Sequence, residues 1–328
     1  MKKFVVIMLI SSIVLLLMAG GVSAQDVIRL RWYQPEPQGH PWTDTGQMIA
    51  DEIFERSGGR IHIRQYPAGQ LGSQYNAVEM LRTGTLDFLT SGPTILVDFD
   101  QDVQVFALPY LFRDKDHAYA VFESPSVQEL FNERILKKSG VRTIQFWYFG
   151  NRTLTVSGKE VKTPEDLKGV RVRSMDAPVF LEVIRALGAD PTPIAFTELY
   201  MALQTGVVQG QENPVPTIYS QKFYEVQDYI VLTNHSVHMG TVHVAERMWQ
   251  SLSEDDRKMI LEVFEEYRPQ IDERIIKDTE AKLAIMQEEG IKIIEPDLEA
   301  FRKHAYDHIM SVYGDRWGDL IREIQAVE

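Results

Sequence analysis

The chain of 328 residues contains no cysteine. Disulfides, thiolate nucleophiles, cysteine-ligated metals and lipid-modified cysteines are all excluded by that one absence. Enzyme signatures are missing as well. There is no GxSxG elbow, no phosphate-cradling GxxxxGK[ST], no GxGxxG dinucleotide turn and no HExxH zinc motif. Positive charge is scarce, with 34 Lys and Arg against 47 Asp and Glu and a net charge of −13. A chain this acidic has no general attraction for nucleic acid and needs a local basic pocket to hold an anion. Long apolar runs are lacking beyond one, Phe4 to Met18. That run follows Lys2 and Lys3 and precedes Val22-Ser23-Ala24, the layout of a secretory signal peptide cleaved after Ala24. An uncleaved anchor is the alternative, for which the run is short. Cleavage removes two lysines and no acids, so the mature charge becomes −15. What remains is long enough for two domains and two cores, and it carries no low-complexity tract.

What is present alternates strands with helices. Val27–Gln34 reads as a strand, Trp42–Arg56 as an amphipathic helix ending at Gly58-Gly59, and Ile61–Tyr66 as a second strand. A turn at 67–72 leads to a helix ending at Gly84 and a short strand at Leu86–Leu89. Two helices are expected near Asp114–Phe122 and Ser126–Lys138, then a strong strand from Val141 to Phe149 that stops at Gly150. Asp228–Thr233 and Thr241–Ala245 read as two separate strands. The pattern is that of a parallel-type α/β sheet. LRTGTLD at 81–87 and LQTGVVQ at 203–209 each end a helix at Gly before a strand, which suggests two lobes of similar build. The chain is expected to cross between lobes near Gly150 and to return near His238. Ser253 with Asp256 caps a long helical pattern running to Glu289, kinked at Pro269, and long enough to lie across both lobes. Asp297–Ala326 reads as two further helices.

The segment from Gly169 to Pro214 organises the rest. It is expected to deliver Arg173 on a short strand, Phe196 after a Pro-rich turn, and Glu212 with Asn213 on a last strand. Arg171 and Arg173 share a strand face, and a surface ion pair accounts for Arg171. Arg173 ends its strand just before a helix, where α/β folds place ligand contacts, and its planar fork suits a carboxylate. Arg152 is a second such arginine. Ordinary core packing competes for Phe196. His235, His238 and His243 do not have a tight zinc spacing, so no metal is expected, and they read instead as single histidines that hydrogen-bond locally or line the cleft. No spacing among Asp176, Glu198 and Glu212 singles out an acid–base pair, so no catalytic residue is assigned.

TPEDLKGVRVR, GADPTP, AFTELYMALQTGVVQGQENP and QKFYEVQDYIVLTNH, all between Thr163 and His235, closely resemble the DctP-type solute-binding proteins of tripartite ATP-independent periplasmic (TRAP) transporters. PAGQLGS, GTLDF and FALPYLF extend the resemblance over the mature chain. The resemblance implies a two-lobed clamshell with a hinge and a long helix across both lobes. On it, residues 25–149 with 239–277 form the first lobe, and 150–238 with 278–328 the second. It also implies capture of an organic acid, of the sugar-acid or C4-dicarboxylate class, in the periplasm for delivery to the small and large permease subunits. No cofactor and no nucleic acid are implied, and a monomer is expected. By position, Arg173 resembles the family's principal carboxylate-binding arginine, Arg152 its second, Asn213 its ligand-contacting amide and Phe196 its packing ring. Glu212 and His235 fall where the family orients the arginine. Asp176 stands where sialic-acid-binding members have Asn, and Gly92 where they have an acid. RSMDAP at 173–178 is more similar to the RxMxxP of members binding dicarboxylates or sugar acids, and Asp176 favours hydroxyl donors. A ligand-sensing protein for a membrane receptor, or a periplasmic enzyme, are the alternatives on the same fold.

Overall fold

The computed structural model describes residues 27–328, so the expected signal peptide at 1–24 lies outside the described residues. The first lobe opens with β1 (Ile28–Tyr33), α1 (Pro41–Arg56), β2 (Ile61–Tyr66), α2 (Gln74–Thr83) and β3 (Phe88–Ser91). Two 3₁₀ turns follow, then α3 (Lys115–Glu123), α4 (Pro125–Glu129), a π turn at Leu130–Ile135 and α5 (Leu136–Ser139). β4 (Val141–Val156) leads into β5 (Arg171–Ser174), α6 (Pro178–Ala186), β6 (Asp190–Pro193), α7 (Leu199–Gln204), β7 (Gly210–Pro214) and α8 (Val215–Ser220). The chain closes with β8 (Tyr229–Ala245), α9 (Glu246–Ser251), α10 (Glu254–Glu288), β9 (Lys292–Ile294) and α11 (Leu298–Gln325).

The strands join in the order β2-β1-β3-β8-β4-β7-β5-β6, with β9 added beside β8. β1 pairs in parallel with β2 and β3, and β5 in parallel with β6 and β7, as strand–helix–strand units require. Between these two parallel blocks run β4 and β8, antiparallel to each other and common to both lobes. The sequence suggested breaks at Gly150 and between Thr233 and Thr241. Both strands instead continue, and the irregularities appear as register shifts at Thr143/Gln145, Tyr148/Gly150 and Arg152/Leu154. Gly150 has φ 112° and Asn234 φ 42°, so the backbone bends there without losing its ladder. Two long bulged strands are therefore the hinge. The Pro-rich stretch after α6 is likewise a strand, β6, on the sheet edge, where proline's missing N–H costs nothing.

Separate apolar cores support the two lobes. One gathers Trp32, Phe88, Trp147 and Phe264, and the other lobe has clusters around Leu154 and Val172 and around Leu203 and Ile218. Gly84 and Gly206 cap α2 and α7 at φ 72° and 71°, so the two similar motifs do make the same turn in the two lobes.

α10, 35 residues and about 52 Å long, continues through Pro269. It buries Ile260, Phe264 and Ile275 in the first core and Met286 against the second lobe, bracing both. The expected pair of terminal helices is one helix, α11. Gly314 and Gly318 do not break it, because the Met310 side chain packs over both. α11 packs on more than one of these cores. Phe301 sits in the second lobe's core, but Ile309, Trp317 and Ile324 pack in the larger one. Arg113 and His117 of the first lobe bind the last carbonyls of the chain. α11 is thus a second brace.

Candidate functional site

A cavity of about 290 Å³ lies between the lobes, beside the middle of β4 and β8. Of the residues singled out by sequence, Arg173, Arg152, Asn213, Phe196 and Asp176 line it. Glu212 and His235 do not. They stand behind it.

Arg173 sits near the end of β5, between β6 and β7, and is 3% exposed. Its Nε donates to the Ile194 carbonyl at 2.9 Å, and its terminal nitrogens have no hydrogen-bond partner among the described residues. Burial pushes the guanidinium down to about 10, against the pull of the Glu212 charge, so it remains a full cation at neutral pH. The Phe196 ring packs 5.8 Å from the guanidinium carbon. The ring presents its face to the cation, an attraction that strengthens out of water. A buried arginine whose fork is unengaged is a receptor for a planar anion.

Arg152 differs. It leaves β4 next to β7, where Arg152 is paired with Pro214 in the ladder. Its Nη2 donates to Glu212 Oε1 at 2.9 Å, the Glu212 carbonyl at 2.7 Å and Asn213 Oδ1 at 3.0 Å, and its Nε donates to Glu212 Oε2. His235 Nε2 lies 3.2 Å from Glu212 Oε2. A carboxylate only accepts, so Nε2 is the donor to Glu212, and Nδ1 lies 2.9 Å from Thr233 Oγ1. Burial opposes ionisation of Glu212, but the Arg152 charge and the His235 hydrogen bond outweigh it and hold the carboxyl down to about 2. Asn213 is similarly engaged, accepting from Arg152 and donating from Nδ2 to Gln211 Oε1 at 2.5 Å. One N–H of its amide is left for the cavity.

Asp176 is exposed at the cleft mouth, and its backbone carbonyl accepts from the Tyr75 hydroxyl of the first lobe at 3.2 Å. Arg171 is in no ion pair among the described residues. It donates to the carbonyls of Val207 and Gly206 at 2.8 and 3.1 Å, closing the end of α7. Arg173 shares its strand but is buried, because Ile194 and Phe196 cover it.

Most of the lining residues were not assigned to the cleft from the sequence, and two of them bear on its chemistry. His238 was weighed as a metal ligand against a single histidine that hydrogen-bonds locally or lines the cleft, and it lines the cavity, 5.4 Å from the Phe149 ring. Burial pulls its pKa down to about 3, so the ring is neutral and makes no hydrogen bond to the described residues. Its place opposite Gly150 follows from the bulge, which residue spacing does not reveal. Glu36, in the loop after β1, also lines the cavity and is 3% exposed. The rule that ligands sit beyond the carboxyl ends of parallel strands points to this loop as well as to Arg173.

Residues 34–313 match the family model described as DctP, bacterial extracellular solute-binding protein, family 7. The sialic acid-binding periplasmic protein SiaP of Vibrio cholerae is 34% identical over 293 residues, 89% of this chain and 90% of its own. A TRAP periplasmic solute-binding protein from a Polaromonas species, solved with D-erythronate bound, superimposes with a TM-score of 0.85 at 28% identity, over 92% of this chain and 99% of that one. Another from Roseobacter denitrificans, with L-galactonate bound, gives a TM-score of 0.85 at 27% identity, over 92% and 99%.

Proposed function

The chain belongs to the DctP family of bacterial extracellular solute-binding proteins, and on that premise we propose that its cleft captures a hydroxylated organic acid by the carboxylate. The observation that carries this reading is Arg173, a buried cation beside the cavity whose terminal nitrogens have no partner among the described residues. A bound carboxylate accepts two parallel hydrogen bonds from that fork, with Phe196 against the ligand's carbon skeleton. Arg152, neutralised by Glu212, positions Asn213 and offers the ligand at most its remaining nitrogen. Asp176, Glu36 and His238 supply acceptors around the rest of the cavity, which suits hydroxyl groups better than a second carboxylate. We place the protein in the periplasm after removal of residues 1–24, handing its acid to a membrane permease of small and large subunits, as a binding protein without turnover.

A thermal-shift screen tests the reading. Aldonates, uronates, C4-dicarboxylates and 2-oxo acids are offered to the wild type and to Arg173→Ala. A ligand at one hundred times its Kd stabilises the native state by about 2.7 kcal/mol, a shift of several degrees. The expected result is a hydroxylated monocarboxylate that shifts the wild type and leaves Arg173→Ala unmoved. An acid that shifts both equally removes Arg173 from the site.

A further inference from the structure

Glu36 belongs to the first lobe by chain position, yet its carboxylate is held by the second. Oε1 accepts from Thr217 Oγ1 at 3.1 Å, and Oε2 accepts from Ser220 Oγ and from Gln221 Nε2, both at 3.4 Å. All three donors lie on α8 or at its end, about 180 residues away in sequence. α8 follows directly on Asn213 and Pro214, so whatever seats α8 also seats the cavity wall that β7 contributes. The backbone of Glu36 is fixed independently, its carbonyl accepting from Thr43 Oγ1 and from the Ala68 amide. The residue is rigid on one lobe and hydrogen-bonded to the other.

We propose that Glu36 is a positioning residue for ligand capture, a carboxylate that the first lobe inserts among the α8 donors so that the lobes close in one register. This rests on reading the cleft as the acid-binding site, but the contact itself is independent of the ligand. Opening the lobes parts Glu36 from α8 and returns it to water. In the closed arrangement, burial pushes its carboxyl up to about 7 from an ordinary 4.5, the α8 donors and the Arg152 charge opposing this only in part. The charged or titratable groups facing it are Arg152 from β4 and Tyr33 from β1. α8 and Gln221 bring neutral donors, α1 brings Thr43, and the turn at 67–72 brings the Ala68 amide. His40, later in its own loop, is held neutral by burial.

The sign of the linkage follows. A carboxyl whose pKa rises on closure binds a proton as the lobes close. Closure is therefore most favoured below the open-state value, weakens between about 4.5 and 7, and is flat above 7. A one-proton linkage changes the closed-to-open ratio by up to about tenfold per pH unit inside that window.

The cysteine-free chain accepts a spin-label pair through Glu55→Cys and Lys159→Cys, both exposed and on different lobes. Label-to-label distances in ligand-free protein, measured from pH 5 to pH 8, report the lobe separation. We expect the wild-type background to shift toward the longer distance as pH rises, by at least tenfold in the ratio of the two populations. In Glu36→Gln, which keeps the hydrogen-bond acceptor but not the titration, the ratio is expected to hold across the range. In Glu36→Ala it is expected to favour the open form throughout. A pH profile shared by wild type and Glu36→Gln, or a wild type that does not respond to pH, overturns the proposal. No ligand enters the measurement, so failure of the acid-binding reading shows separately, in the thermal-shift screen.

Discussion

Arg152 and Arg173 are both buried, both line the same cavity and both end in guanidinium groups near Glu212, yet they are built to do different things. Arg152 has Nε and Nη2 engaged by Glu212 and Asn213, and its charge is matched inside the protein. Arg173 has one neutral carbonyl on Nε and, among the described residues, nothing on its terminal nitrogens. The first pair belongs to the fold, because an internal ion pair with good geometry survives burial only when both partners are present. The second is an uncompensated cation that the fold tolerates, and its natural partner comes from outside. Burial and charge do not separate a structural arginine from a binding one. The count of donors left over does.

Removing Glu212 puts the largest strain on that contrast. Glu212→Ala leaves Arg152 buried and unpaired, and denaturant unfolding should show a loss of about 3–5 kcal/mol. Because the Glu212 carboxyl is held at about 2 from an ordinary 4.5, its contribution is complete above 4.5 and is lost as pH falls through 2. The variant should therefore lack part of the wild type's acid limb. Arg173→Ala is expected to do the reverse, with ligand affinity in calorimetry falling by about 2–5 kcal/mol while stability holds or rises. Arg173→Lys should not restore binding, since an ammonium has no fork. If Arg173→Ala unfolds as readily as Glu212→Ala, the two arginines are not different in kind. The smallest change sharpens the comparison at the cleft mouth. Asp176→Asn should alter affinity for a hydroxy acid by less than about 1 kcal/mol, and move the ratio of dicarboxylate to aldonate affinity severalfold toward the dicarboxylate. An unchanged ratio takes Asp176 out of specificity.

The parallel blocks, the Gly84 and Gly206 caps and the long helix were legible because each depends on local pattern, on helical or strand periodicity and on left-handed glycines. The hinge was half legible. Gly150 looks like a stop, and only pairing with β8 turns it into a bulge within one strand. The same limit left the role of His238 open between a local hydrogen bond and the cleft, because its side depends on how many bulges precede it. α11 read as two helices because the glycines at 314 and 318 weaken it locally, and the packing that offsets this comes from Met310 and from the first lobe.

From sequence alone came the α/β alternation and the missing chemistry of cysteine and nucleotide motifs. These are properties of residue type and of spacing within one element. The family resemblance carried by its motifs pointed to five of the residues that line the cleft. The roles of those residues are another matter. Only the tertiary structure shows that Glu212 consumes Arg152, that no described residue consumes the fork of Arg173, and that Glu36 reaches α8. A guanidinium presents the same five donors wherever it stands, and which of them remain open is decided by neighbours brought from tens or hundreds of residues away.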